Sequence, residues 1–342
     1  MRVLFISRRF WPHLGGVEKH LAMLCDELGK DPTTQITIVT EQDTSQESLH
    51  EKYNQVEIWR IPKNLLTKKQ IWLWWWRHQH FLLQADVTHI HDVFFWLLPF
   101  RSLYFWKRWF MTFHGYEPPG PPNWRQRFWH QLAGLLTEKN ICIGGFHQRW
   151  YGVEPSITSF GAVDSSKTKK SVSPMQSKTK KLVFIGRLEQ DTGITKYVEA
   201  LRLAVAKGAK LSLEIFGEGE LKTNIMKQVH RDQLQVTFHP PRALTSNDLE
   251  EYSLCCVSGY LTILEALAAG RPVLSTYHSQ LKKDYLLQTP FHSWIQIAEE
   301  PAQLAELMTQ SQRVSSEAVQ WARSQSPAYL AQQYQSLWKD YE

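Results

Sequence analysis

Short apolar runs alternate with helix-period segments along nearly the whole chain, and this alternation restricts the fold more than any other feature. Strands covered on both faces are apolar at successive positions. When helical stretches separate such strands, the pattern is that of parallel sheets built from βαβ units. In the first half the predicted strands are Val3–Ser7, Gln35–Thr40, Val56–Ile61, Val87–His91, Phe110–Phe113, Asn140–Ile143 and Ser156–Ser159. Helices are predicted between them at Val17–Gly29, Lys68–Gln84 and Asn123–Glu138.

The pattern breaks from Asp164 to Lys180, where the sequence DSSKTKKSVSPMQSKTK is rich in Ser, Thr and Lys and has no periodicity. Such a stretch reads as an exposed linker. Alternation restarts with strands Leu182–Ile185, Leu211–Phe216, Val236–His239, Leu254–Val257 and Pro272–Thr276. The intervening helices are Gly193–Lys207, Glu220–His230, Asn247–Tyr252 and Thr262–Ala269. The first of these places Ile194, Tyr197, Val198, Leu201 and Val205 on one stripe and stops at Gly208, where a helix-ending glycine belongs. The 342 residues therefore divide into a Rossmann-like domain over 1–164, a linker over 165–180 and a second Rossmann-like domain over 181–325. A terminal helix over 326–342 is expected to pack back on the first domain.

Composition removes several function classes. The cysteines Cys25, Cys142, Cys255 and Cys256 lack the spacing of a zinc or redox site, and small buried thiols in a reducing cytoplasm fit them. The apolar run at the N-terminus is too short for a signal peptide. The longest uncharged apolar stretch, Val93 to Phe100, falls far short of the about 18–20 residues that cross a bilayer. The chain carries a formal charge of +6 and 15 tryptophans. Many of these sit among basic residues, as in Trp72, Trp74, Trp75, Trp76 and Arg77, then Trp96, Arg101, Trp106, Lys107, Arg108 and Trp109. Indole and cation together suit the surface of an anionic membrane, and a large aromatic core with a solvated basic rim accounts for them equally well. No nucleic-acid motif accompanies the basic excess, so nucleic acid is not an expected partner.

In open parallel sheets ligands bind at the carboxyl ends of the strands, so motifs matter when they follow a strand. The first loop, Phe10 to Glu18, carries Gly15 and Gly16 ahead of a helix, where a backbone can approach a ligand and free N–H groups attract an anion. A tight strand-to-helix turn is the bland explanation of the same pair. The loop is not the G-x-G-x-x-G of a dinucleotide enzyme. His114 and Gly115 end another strand, suited to polar contact with a substrate or to a structural histidine. Gly186 and Arg187 follow Phe184-Ile185, and arginine offers a permanently charged fork to a diphosphate. Gly217 and Gly219 follow Ile215-Phe216. Finally, Ser258-Gly259 precede a helix carrying Thr262 and Glu265; its amino end can face phosphate, and Glu265 can accept bonds from ribose hydroxyls or balance the helix dipole.

In order, Gly-Gly-Val-Glu at 15–18, His114-Gly115, Gly161-Ala162-Val163-Asp164, Gly186-Arg187-Leu188, Gly217-Glu218-Gly219 and Leu264-Glu265-Ala266-Leu267-Ala268-Ala269-Gly270-Arg271-Pro272-Val273 resemble retaining glycosyltransferase family 4 of the GT-B class. The resemblance covers nearly the whole chain, and its last motif is the most specific. It implies an α/β fold of two facing Rossmann-like domains and a metal-independent enzyme with no cofactor. The substrates it implies are a nucleotide-diphosphate sugar and a glycan or lipid-linked acceptor. It further implies that Gly16 lies beside donor phosphate or acceptor, His114 contacts the transferred sugar, Arg187 neutralises the diphosphate and Glu265 binds ribose. Gly15, Gly186, Gly217, Ser258, Gly259 and Thr262 complete the expected donor-binding set. Catalysis would then be largely electrostatic, with cations and helix dipoles stabilising the departing nucleotide diphosphate.

The sequence departs from the family pattern twice. Thr192 stands where the family carries a lysine before glycine, and Val257 where it carries a glutamate eight residues before Glu265. Losing one charge-assisted hydrogen bond costs roughly 1.5–3 kcal/mol, which need not abolish catalysis. Ser258, Thr262 or a backbone amide are candidate substitutes. The leading expectation is a cytoplasmic sugar transferase at the inner face of a membrane. The rivals are a catalytically inactive GT-B scaffold serving as a partner subunit, and an epimerase or phosphorylase on the same plan.

Overall fold

The computed structural model describes residues 1–13, 15–65, 67–116, 120–164 and 179–339. Most of the expected linker, 165–178, lies outside the described residues. The chain forms two compact units: Met1–Glu117, Pro122–Phe160 and Pro327–Glu342 make the first, and Pro118–Pro121 with Gly161–Ser326 the second.

The first unit is built on an eight-stranded sheet in the order β3-β4-β2-β1-β5-β6-β7-β8. Its strands are β1 Arg2–Ser7, β2 Gln35–Glu41, β3 His50–Tyr53, β4 Val56–Ile61, β5 Val87–His91, β6 Trp109–Phe113, β7 Lys139–Ile143 and β8 Ile157–Ser159. All neighbours run parallel except β3, which pairs antiparallel with β4 at the sheet edge. β5, β6 and nearly all of β1 are buried, as strands covered on both faces must be. Helix Gly16–Leu28 turns Leu21, Leu24, Cys25 and Leu28 inward, the spacing of one helical face. The terminal helix Pro327–Lys339 belongs to this unit, burying Leu330, Ala331, Tyr334, Leu337 and Trp338 and packing on helix Gly16–Leu28.

The second unit has a six-stranded, wholly parallel sheet, β11-β10-β9-β12-β13-β14. Its strands are β9 Lys180–Ile185, β10 Leu211–Phe216, β11 Val236–His239, β12 Leu254–Cys256, β13 Val273–Thr276 and β14 Gln296–Ala298. Helix Ile194–Ala206 packs on Pro301–Thr309 and buries Ile194, Tyr197, Val198, Leu201 and Ala204 in a core shared with Leu182, Leu213, Ile215 and Leu274.

Three local expectations change. The single helix expected over Lys68–Gln84 is two, Lys68–Arg77 and His80–Gln84, because His78 leaves helical geometry at the end of the first. The helix expected over Asn247–Tyr252 is the shorter Ser246–Leu249, started by a reciprocal cap between Thr245 and Asp248. The short strands β3 and β14 give almost no alternating signal in sequence, which is why neither is predicted. Cys25, Cys142, Cys255 and Cys256 are all buried free thiols, and burial raises their pKa values, leaving them unreactive.

Candidate active site

Apart from the antiparallel edge strand β3, each sheet reverses its strand order once, in the first unit between β1 and β5 and in the second between β9 and β12. The carboxyl ends of such strands open a crevice for ligands. Gly15 and Gly16 follow β1, and Gly186, Arg187, Ser258 and Gly259 follow β9 and β12, whereas His114 follows β6 and Gly217 follows β10.

In the second unit, Gly186 and Arg187 continue β9 while Ser258 and Gly259 follow β12. The loops are joined directly, because Ser258 Oγ donates to the Thr192 carbonyl at 3.4 Å. Gly193, in left-handed geometry with φ of 76°, then starts helix Ile194–Ala206; a Cβ there would meet Thr276 Cγ2 at 2.2 Å, so only glycine fits. Gly217 is fixed by the same kind of close approach, since a Cβ would lie 1.9 Å from the Gly186 carbonyl oxygen. Its glycine is thus required by packing of the β9 and β10 loops, independently of any ligand.

Arg187 is engaged within its own loop. Its guanidinium pairs with Glu189 and, at 2.8 Å, with Asp191, while its side chain stays 59% exposed. Helix Tyr260–Ala268 begins at Gly259 and holds Glu265, which is buried on its second turn. The first amide of that helix, Tyr260 N–H, donates to the Tyr285 hydroxyl at 3.2 Å, and the two rings stack at 3.9 Å. Thr262 Oγ1 donates to the Gly259 carbonyl at 2.9 Å. Thr192 and Val257 occupy the positions of the missing lysine and glutamate, with Val257 fully buried.

Sequence reasoning missed Lys282. It lies on helix Gln280–Leu287, capped by Ser279 just past β13, and is buried. Its ammonium donates to the Ser258 carbonyl at 2.7 Å and sits 4.0 Å from the Tyr285 ring centre. Burial, opposed by Asp191 and reinforced by the charge of Arg187, lowers its pKa to about 7. Nothing local distinguishes Lys282 from Lys283 in sequence; only the packing of the helix does.

The first unit assembles a different site. His114, just past β6, has its Nε2 2.7 Å from His91 Nδ1, one of the two nitrogens donating, and its backbone N–H donates to Asp92 Oδ1 at 3.0 Å. Asp92 adopts left-handed geometry with φ of 61°, a conformation disfavoured outside glycine and Asn/Asp, to make that contact. His20, on helix Gly16–Leu28, meets the His114 ring edge-on at 4.9 Å. A second chain runs behind. Trp338 Nε1 donates to His89 Nδ1 at 3.1 Å, so neutral His89 carries its proton on Nε2 and donates to Thr112 Oγ1 at 2.8 Å. Tyr334 Oη lies 2.9 Å from both Thr112 Oγ1 and His20 Nε2.

Burial lowers the pKa of all these imidazoles, to about 4 for His20, and the neighbouring histidines push His89, His91 and His114 down further. The cluster is therefore polar and uncharged at neutral pH. Of its members, sequence analysis singled out His114 alone. His89-Ile90-His91 carried a readable signal, because residues two apart on a strand share a face. Tyr334 and Trp338 come from the far end of the chain and had none. Gly15 caps helix Gly16–Leu28 in extended geometry, and a Cβ on it would strike the Glu18 carboxylate at 2.2 Å. Among the described residues no group of His, Cys, Asp or Glu is arranged to hold a metal ion.

The family comparisons follow the same division. Residues 14–144 match the Glycosyltransferase Family 4 model, and residues 179–310 match Glycosyl transferases group 1. A sequence search of curated proteins finds no match. Sucrose-phosphate synthase from Thermosynechococcus elongatus superposes with a TM-score of 0.75 at 14% identity, covering 99% of this chain and 98% of that one. The E. coli trehalose-6-phosphate structure bound with UDP-2-fluoro glucose gives 0.67 at 10% identity, covering 99% of each. The lipopolysaccharide outer core galactosyltransferase WaaB in its apo form gives 0.65 at 12% identity, covering 98% of this chain and 99% of that one. At such identities these likenesses speak to fold alone. The two family matches and two α/β sheets whose loops carry the expected motifs lead to one assignment: the chain is a GT-B glycosyltransferase that belongs with glycosyltransferase family 4.

Proposed function

We propose that the protein transfers a sugar from a nucleotide-diphosphate donor to a glycan or lipid-linked acceptor, with retention and without a metal. The observation that carries this reading is the convergence of Arg187, Ser258, Gly259 and the amino end of helix Tyr260–Ala268 at the strand-order reversal of the second sheet. A diphosphate is a dianion that a guanidinium and a helix amino end both favour. In this reading Arg187 exchanges its pairing with Glu189 and Asp191 for the donor diphosphate. Glu265 takes the ribose hydroxyls. His114, neutral and held by His91 and Asp92, makes a hydrogen bond to the transferred sugar without placing a positive charge beside a developing oxocarbenium centre.

A screen of UDP, GDP and ADP by thermal shift tests the donor clause, since a ligand that binds the native state raises its melting temperature. Failure of all three at millimolar concentration sinks the reading. Transfer assays across a panel of nucleotide sugars, with and without chelator, then test turnover and metal independence, and the anomeric product tests retention.

A second reading, a GT-B protein that binds partners but does not catalyse, is favoured by one feature: Thr192 and buried Val257 replace a cation and a carboxylate of the family pattern. Binding of a nucleoside diphosphate without transfer from any donor would establish it.

Contact with an anionic membrane on the cytoplasmic side forms part of the proposal. No helix among the described residues is long and apolar enough to span a bilayer. Trp75, Trp96 and Trp109 are core residues, whereas Trp76, Phe105 and Trp106 are exposed, and Arg77, Lys107 and Arg108 flank them in sequence. Exposed indole beside cations suits the headgroup layer of anionic lipid.

A further inference from the structure

We propose that Lys282 is the second cation of the diphosphate subsite, reaching from the helix after β13 into the place that Thr192 leaves without a charge. The inference rests on the donor reading above and deepens it.

The placement follows from three contacts. The Lys282 ammonium donates to the Ser258 carbonyl at 2.7 Å, and Ser258 Oγ donates to the Thr192 carbonyl at 3.4 Å. Two hydrogen bonds through one residue therefore connect the ammonium to the backbone of Thr192. The third contact joins Lys282 to the helix that carries Glu265. The ammonium lies 4.0 Å from the Tyr285 ring, and the Tyr285 hydroxyl accepts the first amide of that helix, Tyr260 N–H. Lys282 is thus set among the loops after β9 and β12 and the amino end of helix Tyr260–Ala268, the elements at the strand-order reversal.

Charge supports the assignment. Arg187 arrives paired with two carboxylates, Glu189 and Asp191, so that trio alone is net negative and repels a dianion. Lys282 restores the balance from the buried side. Its proton affinity feels Arg187 as a repelling charge and Asp191 as an attracting one, which puts both cations in one local field. Like charges in one local field disfavour each other, and an incoming dianion relieves that repulsion. A residue that only tied down the Ser258 loop could be neutral.

The test compares diphosphate with nucleoside, because only the former reaches a phosphate cation. Isothermal titration of the wild type with UDP, GDP and ADP, and with uridine, guanosine and adenosine, identifies the base. Lys282→Met is expected to weaken the diphosphate about tenfold to a hundredfold while leaving the matched nucleoside within about twofold. Adding Thr192→Lys to Lys282→Met is expected to restore most of the diphosphate affinity. A Lys282→Met protein that keeps wild-type discrimination between diphosphate and nucleoside overturns the assignment and leaves the donor reading intact. A wild type that binds no nucleoside diphosphate overturns both. Should Lys282→Met fail to fold, Lys282→Gln replaces it. The same selective loss of diphosphate affinity is then expected, and unchanged discrimination between diphosphate and nucleoside overturns the proposal.

Discussion

The two strand-order reversals meet the same topological demand with opposite chemistry. In the first unit the strand ends gather His20, His89, His91 and His114 with Thr112 and Tyr334, all buried and neutral. In the second, Arg187, Glu189 and Asp191 form an ion-paired trio beside the buried Lys282, with Arg187 largely exposed. On the proposed function, the difference fits the charged cluster to a diphosphate and the neutral one to hydroxyls. It also sets where stability resides. The neutral network is dense and buried, so disturbing it costs folding free energy; the Arg187 guanidinium is largely exposed, so its ion pairs are worth less to the fold.

That contrast can be broken most directly at Arg187. Arg187→Ala is expected to lower kcat/KM by about a hundredfold to a thousandfold, the scale of losing one oriented transition-state contact. Its unfolding free energy should change by less than about 1 kcal/mol, because the guanidinium itself is largely exposed and screened by solvent. Steady-state kinetics set beside urea unfolding would separate the two, and unchanged kinetics would refute the assigned role.

Acid should strike the first unit harder than its overall charge implies. The folded-state pKa of His20 is lowered from 6.5 to about 4, so below pH 6.5 the unfolded chain takes up a proton that the folded chain refuses. Stability present above about pH 6.5 is therefore lost as pH falls towards 4, by about 2 kcal/mol at pH 5 from His20 alone. His89, His91 and His114 shift in the same direction and add to the loss. Equilibrium unfolding from pH 8 to pH 5 would show it, and flat stability over that range would contradict a buried neutral cluster.

Tyr334→Phe removes the hydroxyl shared by Thr112 and His20 and leaves both short of a partner in a buried site. The expected cost is about 1–3 kcal/mol in urea unfolding, with nucleoside diphosphate affinity unchanged because the second unit is untouched. The smallest effect on folding should come from Trp106→Ser. Trp106 is 59% exposed, so stability should move by less than about 0.5 kcal/mol. Co-sedimentation with vesicles containing phosphatidylserine should nonetheless fall, and unaltered co-sedimentation would detach Trp106 from any membrane contact.

The strands and long helices of both units were legible in sequence because their periodicity is strong. β1, β6 and β9 contain short apolar runs, and the stripe of helix Ile194–Ala206 repeats every three to four residues. The edge strand β3, His50–Tyr53, was not legible, since HEKY has no apolar face and owes its geometry to pairing with β4. The break at His78 was equally hidden inside a continuous aromatic run. Of the site, Arg187, Ser258, Gly259 and Glu265 could be picked out because each stands in a motif next to a strand end. Gly217 could be picked out too, although the structure supplies a packing reason for it.

By itself the sequence determined the class of fold, the family and the strand-end loops, because short-range periodicity and glycine placement are local properties of the chain. Tertiary structure alone decided that Lys282 stands beside Ser258 and that Tyr334 bridges Thr112 to His20, 222 and 314 residues away. It also decided that Arg187 pairs with Glu189 and Asp191. These are long-range or side-chain geometric facts. They follow from which helix packs against which strand end, a choice made by the summed burial of many apolar side chains and written in no single segment.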